Sequence, residues 1–213
     1  MPGFTDALYE KVITDICDLD WRNLCAEDLI AVAWAYYFFS VQFRENLLIA
    51  RCIHPQDQSL RDLETEECNT DNLSPWPGVA LPAEKMDHDE FMKRVLSLSP
   101  IDEHQRRIFE TGGHRYLRTI RDMDSAQRAL SITSYEDGGL ERVFRAMLTA
   151  PPHPNPLLDG FRHFLREHIK FDSDPGQGHG AMIRHLRPDD RILPLWLSFK
   201  QLLLEFAPAL SRS

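Results

Sequence analysis

Residues 26–49 constrain the fold more than any other part of the chain. Their apolar side chains fall on nearly every side of the helix that they would form, not on a single stripe. Such a helix is stable in water only when other helices surround it, because each apolar face has to be buried. His54-Pro55 ends the helix, since a residue before proline avoids helical dihedrals. The sequence therefore predicts a helix buried in the centre of a bundle.

Most of the remaining chain also has the apolar spacing of helices. Further helices are predicted over residues 4–19, 58–68, 86–98, 103–122, 125–148 and 194–207. The Gly112-Gly113 pair is expected to interrupt the helix over 103–122, because glycine loosens a helical backbone. No stretch shows the sustained alternation of apolar and polar residues that indicates a sheet. The chain is therefore predicted to be all-α.

Length and turn-forming residues define the expected domain organisation. A chain of 213 residues fits one helical domain, residues 1–213, built as a bundle of about seven helices. Residues 69–85 are rich in turn formers and predict an insertion loop. Residues 150–157 contain several prolines and predict a stiff linker before the next helix.

Composition narrows the classes of partner. A net charge of −9 argues against nucleic acid, because phosphate binding requires a basic surface. No run of about 18 apolar residues occurs, so no membrane partner is expected. The first residues lack the basic start and apolar core of a signal peptide, and the four cysteines form no Cys-x-x-Cys pair. These features favour a cytoplasmic protein with reduced thiols.

Residues 161–186 hold the densest set of candidate metal ligands. His168 and Asp172 lie four residues apart and share one helical face, to which His179 would return seven residues later. Pro175 and the glycines beside it interrupt that helix. We expect a helix, a break and a second segment that presents His179. The alternative is a polar helix end followed by a loop, where histidine and aspartate are ordinary.

Three more candidates lie on other helices. Glu136 has apolar neighbours in sequence, and a buried carboxylate needs a partner. Its alternative role is a surface carboxylate beside a kink at Gly138-Gly139. Glu67 follows two other glutamates and is alternatively part of a solvated charge cluster. His88 opens a predicted helix, where histidines without any function are also common.

Together these residues form a set with the composition of a metal centre. The candidate ligands are Glu67, His88, Glu136, His168, Asp172 and His179. Three carboxylates and three imidazoles from separate helices of one bundle suit two divalent iron ions with open positions for dioxygen. The chain contains no Glu-x-x-His motif, which excludes the ferritin-like version of such a centre. It contains no His-Glu-x-x-His zinc motif either.

The order of these motifs resembles that of the haem-oxygenase-like di-iron oxidases and oxygenases, relatives of the TenA thiaminase and PqqC folds. The resemblance rests on EECN at Glu67, DHDEF at His88, SYEDGG at Glu136, HIKFD followed by HG in the last segment, and LCAEDLIAVAWAYYFFSVQFRENL upstream. It covers approximately residues 24–185, which is most of the chain. The resemblance implies a haem-oxygenase-like helical bundle.

The resemblance also implies oxygen chemistry at these residues. They would hold two Fe(II) ions, with dioxygen as co-substrate and a role left open for an external reductant. Manganese in place of iron also stays open, because cellular supply decides between such ions. The gaps inside the first and last ligand pairs are longer than in the family pattern. Glu64 or Glu66 is therefore an alternative to Glu67, and His185 is an alternative to His179.

The expected function is activation of a C–H bond in a small biosynthetic substrate. The resemblance favours a free aliphatic amino acid that undergoes desaturation or ring formation. N-oxygenation or C–C cleavage of an amino acid or fatty acid is the alternative. The carboxylate of an amino acid calls for an arginine, and the candidates are Arg44, Arg184 and Arg187. For Arg44 the alternative is an ion pair with a structural carboxylate.

Two other classes of protein remain open at this point. One is a metal-free enzyme of the TenA and PqqC type, in which the same acidic and histidine side chains would bind an organic substrate. The other is a helical interaction protein whose apolar helix over 29–49 packs on a partner. A homodimer is compatible with each of these classes.

Overall fold

A computed structural model describes residues 7–172 and 186–211, except for the side chains of Phe171 and Asp172. The helices are α1 (Leu8–Cys17), α2 (Ala26–Ile53), α3 (Gln58–Glu67), α4 (His88–Leu96), α5 (Glu103–Arg121), α6 (Ser125–Ser134), α7 (Leu140–Met147), α8 (Pro156–Asp172) and α9 (Leu193–Phe206). A π-type segment, Tyr135–Gly139, joins α6 to α7. The prediction of an all-α bundle is confirmed.

Helix α2 is the central element. It packs against α3, α4, α5, α6, α8 and α9, and its buried side chains point in all directions around its axis. Cys25 precedes the helix, and its backbone N–H donates to the Asp28 carboxylate at 3.1 Å, which caps the first turn. The helix continues to Ile53, directly before the predicted stop at His54-Pro55. Its apolar residues therefore form the core of its own chain.

The glycine pair in α5 serves a close packing contact. The prediction that Gly112-Gly113 interrupts this helix is wrong, because α5 runs unbroken from Glu103 to Arg121. A Cβ atom at Gly113 would lie 2.1 Å from the Phe38 ring, and one at Gly112 would lie 2.6 Å from the Phe206 ring. The missing side chains therefore allow α5 to approach α2 and α9 closely.

The predicted helix over 125–148 is divided in two. Asp137 and Gly138 have non-helical dihedrals, and Gly138 has a φ of +88°, a conformation that glycine adopts without strain. The Leu140 N–H donates to the Tyr135 carbonyl across this segment, the wider spacing of a π-turn. Such turns redirect the side chains that they carry, and here the segment contains Glu136.

The insertion loop is closed by backbone pairing at its base. Thr70 and Met86 form an isolated antiparallel bridge with N···O distances of 3.0 and 2.9 Å. Trp76, inside the loop, stacks on His163 of α8 with 4.5 Å between the ring centroids. The loop is therefore held against the helix that carries His168.

Among the described residues, no helix combines the length and apolarity that crossing a membrane requires.

Candidate metal centre

Three of the candidate ligands converge from three helices. Glu67 is the last residue of α3, His88 is the first of α4, and His168 lies in the last turns of α8. The Glu67 Oε2 atom is 2.7 Å from His88 Nδ1, and His168 Nε2 is 3.0 Å from the same nitrogen. All three side chains are buried, with exposed fractions of 5–8%. One ligand atom from each residue lies within 4.8 Å of the other two.

Neighbouring carbonyl groups orient both imidazole rings. His168 Nδ1 is 3.0 Å from the Phe164 carbonyl oxygen, which can only accept a hydrogen bond. His88 Nε2 is 3.0 Å from Asn72 Oδ1. The Asn72 amide is itself fixed, because its Nδ2 donates to the Glu66 carbonyl at 2.8 Å. The outer nitrogen of each ring therefore carries the proton, and this tautomer directs the lone pair of the other nitrogen inward.

The inward-facing atoms form a donor set that fits a metal ion. In these tautomers His88 Nδ1, His168 Nε2 and a Glu67 oxygen each present a lone pair to the same small volume. Such electron-rich atoms repel one another unless a cation or an added proton lies among them. Imidazole and carboxylate ligands suit iron, zinc or manganese, and a carbonyl that holds the second ring nitrogen is the usual support for a histidine ligand.

Glu136 lines the same cavity. It is buried in the π-type segment between α6 and α7, and the segment's kink places it beside Leu140 and Phe144 at the cavity wall. The volume available to the centre of a water molecule is about 20 Å³. This is room for approximately one water molecule or one ion among the side chains that line the cavity. The cavity also receives Tyr36 and Ser40 from α2.

The remaining candidate ligands have different outcomes. Asp172 is the last residue of α8, one turn beyond His168, and its side chain lies outside the described part of the chain. His179 and its alternative His185 also lie outside the described residues. Of the alternatives to Glu67, Glu64 accepts a 2.8 Å hydrogen bond from Arg51. The cluster contains Glu67 and neither of the other two glutamates.

The candidate substrate arginines are placed differently from one another. Arg44 lines the cavity and donates two hydrogen bonds of 2.9 Å to the carboxylate of Asp89. Burial raises the pKa of Asp89, although these hydrogen bonds from Arg44 oppose the shift. Arg187 is exposed beside His54 and does not line the metal cavity. Arg184 lies outside the described residues.

Two residues of the site have no counterpart among the sequence candidates. Asn72 lies in the insertion loop, where it could not be distinguished in the sequence from the other turn-forming residues, and its side chain contacts the candidate ligand His88. Asp89 follows His88 directly and was not distinguished from the acidic residues around it. An arginine within an apolar helix requires a buried acid nearby, and that requirement is the signal for Asp89. No comparable signal in the sequence indicates Asn72.

Replacing Asn72 by alanine is expected to weaken metal binding without removing a ligand. His88 would lose the acceptor that fixes its tautomer, and such losses lower metal affinity by about 10–100-fold. The measurement is Fe(II) affinity by competition with a chelator under anaerobic conditions. Asn69→Gly is the matched control, because this loop asparagine is exposed and its positive φ is a conformation that glycine adopts without strain. Equal affinities for Asn72→Ala and the unchanged protein would contradict the role of Asn72.

Replacing Arg44 by alanine is expected to lower the free energy of unfolding by roughly 1–3 kcal/mol, because the buried Asp89 would lose both charged hydrogen bonds. Chemical denaturation measures this change. The double variant Arg44→Met with Asp89→Leu is expected to recover part of the loss, since no buried charge is then left unpaired. A single variant as stable as the unchanged protein would contradict a structural ion pair.

Comparisons of the chain with protein-family models, with curated proteins and with solved structures gave no match.

Proposed function

We propose that this protein is a non-haem metal-dependent oxidase or oxygenase that uses dioxygen. The observation that carries the proposal is the convergence of Glu67, His88 and His168, with both imidazole lone pairs directed inward. Two Fe(II) ions would be held by these residues together with Glu136, and by Asp172 and His179 in the last segment. Bound ferrous iron supplies the electrons and the open coordination positions that dioxygen activation requires.

The residues of the chain supply orientation and exclusion of water. Asn72 and the Phe164 carbonyl hold the two imidazoles in one tautomer. Apolar side chains from three helices, including Phe43, Phe144 and Phe164, line the cavity around the carboxylates. A site of this kind keeps bulk water away from a reactive centre while its carboxylates remain able to change their binding mode.

The proposed substrate is a free aliphatic amino acid that loses hydrogen atoms to form an alkene or a ring. This part rests on the resemblance of the motifs to the haem-oxygenase-like di-iron family, together with Arg44 at the cavity wall. In this proposal the Arg44 guanidinium releases the Asp89 carboxylate and binds the carboxylate of the substrate in its place. N-oxygenation or C–C cleavage of an amino acid or fatty acid is the alternative outcome at the same centre.

A metal-free enzyme is the second candidate, and one distance favours it. The 2.7 Å separation between Glu67 and His88 is also that of an ion pair with a protonated imidazole. In that state the pair would act on an organic substrate as a general acid and base. The two candidates differ in whether activity needs iron.

Oxygen consumption tests the proposal. Protein loaded anaerobically with Fe(II) is mixed with aerated buffer, with and without a panel of free aliphatic amino acids, and then a panel of fatty acids. We expect an amino acid to accelerate oxygen uptake, with a product that has lost two hydrogens by mass spectrometry. The iron-free protein is the control. Absence of iron-dependent uptake with both panels would contradict the proposed activity.

A further inference from the structure

One short stretch of the insertion loop contacts the surroundings of both histidine ligands. Asn72 Oδ1 lies 3.0 Å from Nε2 of His88. Two residues later, the backbone N–H and the hydroxyl of Ser74 both donate to the Glu167 carboxylate, the N–H at 3.4 Å. Glu167 directly precedes His168 in α8. The stretch therefore reaches from the helix that begins with one histidine ligand to the helix that carries the other.

Glu167 anchors the loop and is not one of the clustered metal ligands. Its side chain is 5% exposed, yet it neither belongs to the metal cluster nor lines the metal cavity. Among the described residues, its hydrogen-bond donors are Ser74 and Lys170. The Lys170 side chain is 69% exposed, and an ion pair with such a partner contributes little. Because a buried carboxylate needs hydrogen bonds, the two from Ser74 are the contacts that tie it to the loop.

The neighbouring residues of the loop also fit closely on α8. The Ser74 carbonyl accepts a hydrogen bond of 2.9 Å from His163, and the His163 ring stacks on Trp76. A Cβ atom at Gly160 would lie 3.3 Å from Trp76 Nε1, so the glycine lets the indole approach the helix. Leu73, between the two polar contacts, is buried. The stretch is therefore held on both sides of the Asn72 amide.

This arrangement makes the two histidine ligands depend on the position of the loop. Asn72 fixes the tautomer of His88 only while the stretch stays docked. A metal ion bound to the inner nitrogens of His88 and His168 requires that same tautomer. Each event therefore favours the other. Such coupling is reciprocal, so docking of the loop raises the metal affinity by the factor by which the metal favours docking.

We propose that docking of the insertion loop on α8 is coupled to metal binding, and that Ser74 is the positioning residue that joins the two. Ser74 donates to Glu167 and not to a candidate ligand, so it acts on the metal site through Asn72. The inference rests on the metal site of the proposed function, and it adds a loop whose docking changes with metal occupancy.

Zinc(II) affinity, measured by competition with a chelator, tests the role of Ser74. Zinc(II) takes the same imidazole and carboxylate ligands without redox chemistry, so this test does not depend on oxidase activity. The affinity should fall about tenfold in Ser74→Ala, the lower end of the range for residues that orient a ligand. Ser74→Thr keeps the hydroxyl and should restore the affinity. Ser97→Ala is the matched control, because this exposed serine donates to the Lys93 carbonyl outside the loop.

Two further measurements test the coupling itself. The double variant Asn72→Ala with Ser74→Ala should bind zinc(II) no more weakly than Asn72→Ala alone, since residues that act through one contact are not additive. Hydrogen exchange over residues 69–76, followed by mass spectrometry, should be slower in the unchanged protein saturated with zinc(II) than in the metal-free protein. This protection should be smaller in Ser74→Ala.

The outcomes separate this inference from the proposed oxidase. A Ser74→Ala variant that binds zinc(II) as tightly as the unchanged protein would overturn it, and so would loop exchange that is equal with and without the metal. Additive losses in the double variant would overturn the role of Ser74 through Asn72. If the unchanged protein bound no zinc(II), the inference would fall together with the metal site. Coupling as expected in a protein that consumes no oxygen with iron would contradict the oxidase alone.

Discussion

Replacing His168 by glutamine is expected to abolish tight iron binding while the helical bundle stays folded. A glutamine amide can still donate to the Phe164 carbonyl, but it places no imidazole nitrogen beside His88. The affinity for Fe(II) should fall by more than about 100-fold, above the range for residues that only orient a ligand. Iron content after anaerobic loading and desalting measures the loss, and circular dichroism checks the fold.

His163→Gln is the control for that experiment. His163 lies on the same helix, stacks on Trp76 and has its Nε2 atom 2.9 Å from the Ser74 carbonyl, outside the metal cluster. The glutamine keeps a donor for that carbonyl, so the iron content should stay that of the unchanged protein. Equal iron content in His168→Gln and His163→Gln would exclude His168 as a ligand.

Replacing Gly139 by alanine is expected to disturb both the fold and the metal centre. The new Cβ atom would lie 2.1 Å from the Ser134 carbonyl oxygen and 3.0 Å from the Trp196 ring, so the backbone of the π-type segment has to move. Overpacking of this kind lowers the free energy of unfolding by roughly 1–3 kcal/mol. Because the same segment carries Glu136, iron stoichiometry should fall as well. Denaturation curves and iron content measure the two effects.

Gly138→Asn separates backbone conformation from crowding in that segment. Gly138 has a positive φ, which asparagine tolerates better than most residues, and an added Cβ atom there would meet nothing within 4 Å. Because a side chain at this positive φ carries some strain, this variant should lose a little stability, less than Gly139→Ala, and keep the iron content of the unchanged protein. If Gly139→Ala were equally benign, the close contact with Ser134 would not be what shapes the segment.

The helices and their positions along the chain were predictable because the spacing of apolar residues follows the faces that become buried. The all-round apolar pattern of α2 could be satisfied only at the centre of a bundle, and that is where the helix lies. The prediction of a helix break at Gly112-Gly113 was wrong, because a glycine needed for close packing looks the same in sequence as one that interrupts a helix. One helix was predicted over 125–148, but a π-type segment divides it at Gly138. The sequence does not indicate such a segment clearly, because a π-type turn depends on the residues that pack around it.

The candidate site was partly predictable from residue chemistry. Glu67 and His88 each had an ordinary alternative, a solvated charge cluster and a helix start, and became candidates through their order along the chain and the family resemblance. The fold brings them within 4.8 Å of His168 and of one another. Asn72 could not be found in this way, because its role depends on the insertion loop folding back onto His88. Long-range contacts of that kind leave no periodic trace in a single sequence.

Anaerobic titration of the metal-free protein with Fe(II) tests the central claim most directly. Removal of unbound iron followed by quantification gives the number of ions per chain, and the same samples are then exposed to oxygen in a stopped-flow spectrometer. We expect two tightly bound irons per chain and an oxygen-dependent change in visible absorption. One iron per chain would contradict the two-iron assignment, and none would contradict a metal site at Glu67, His88 and His168.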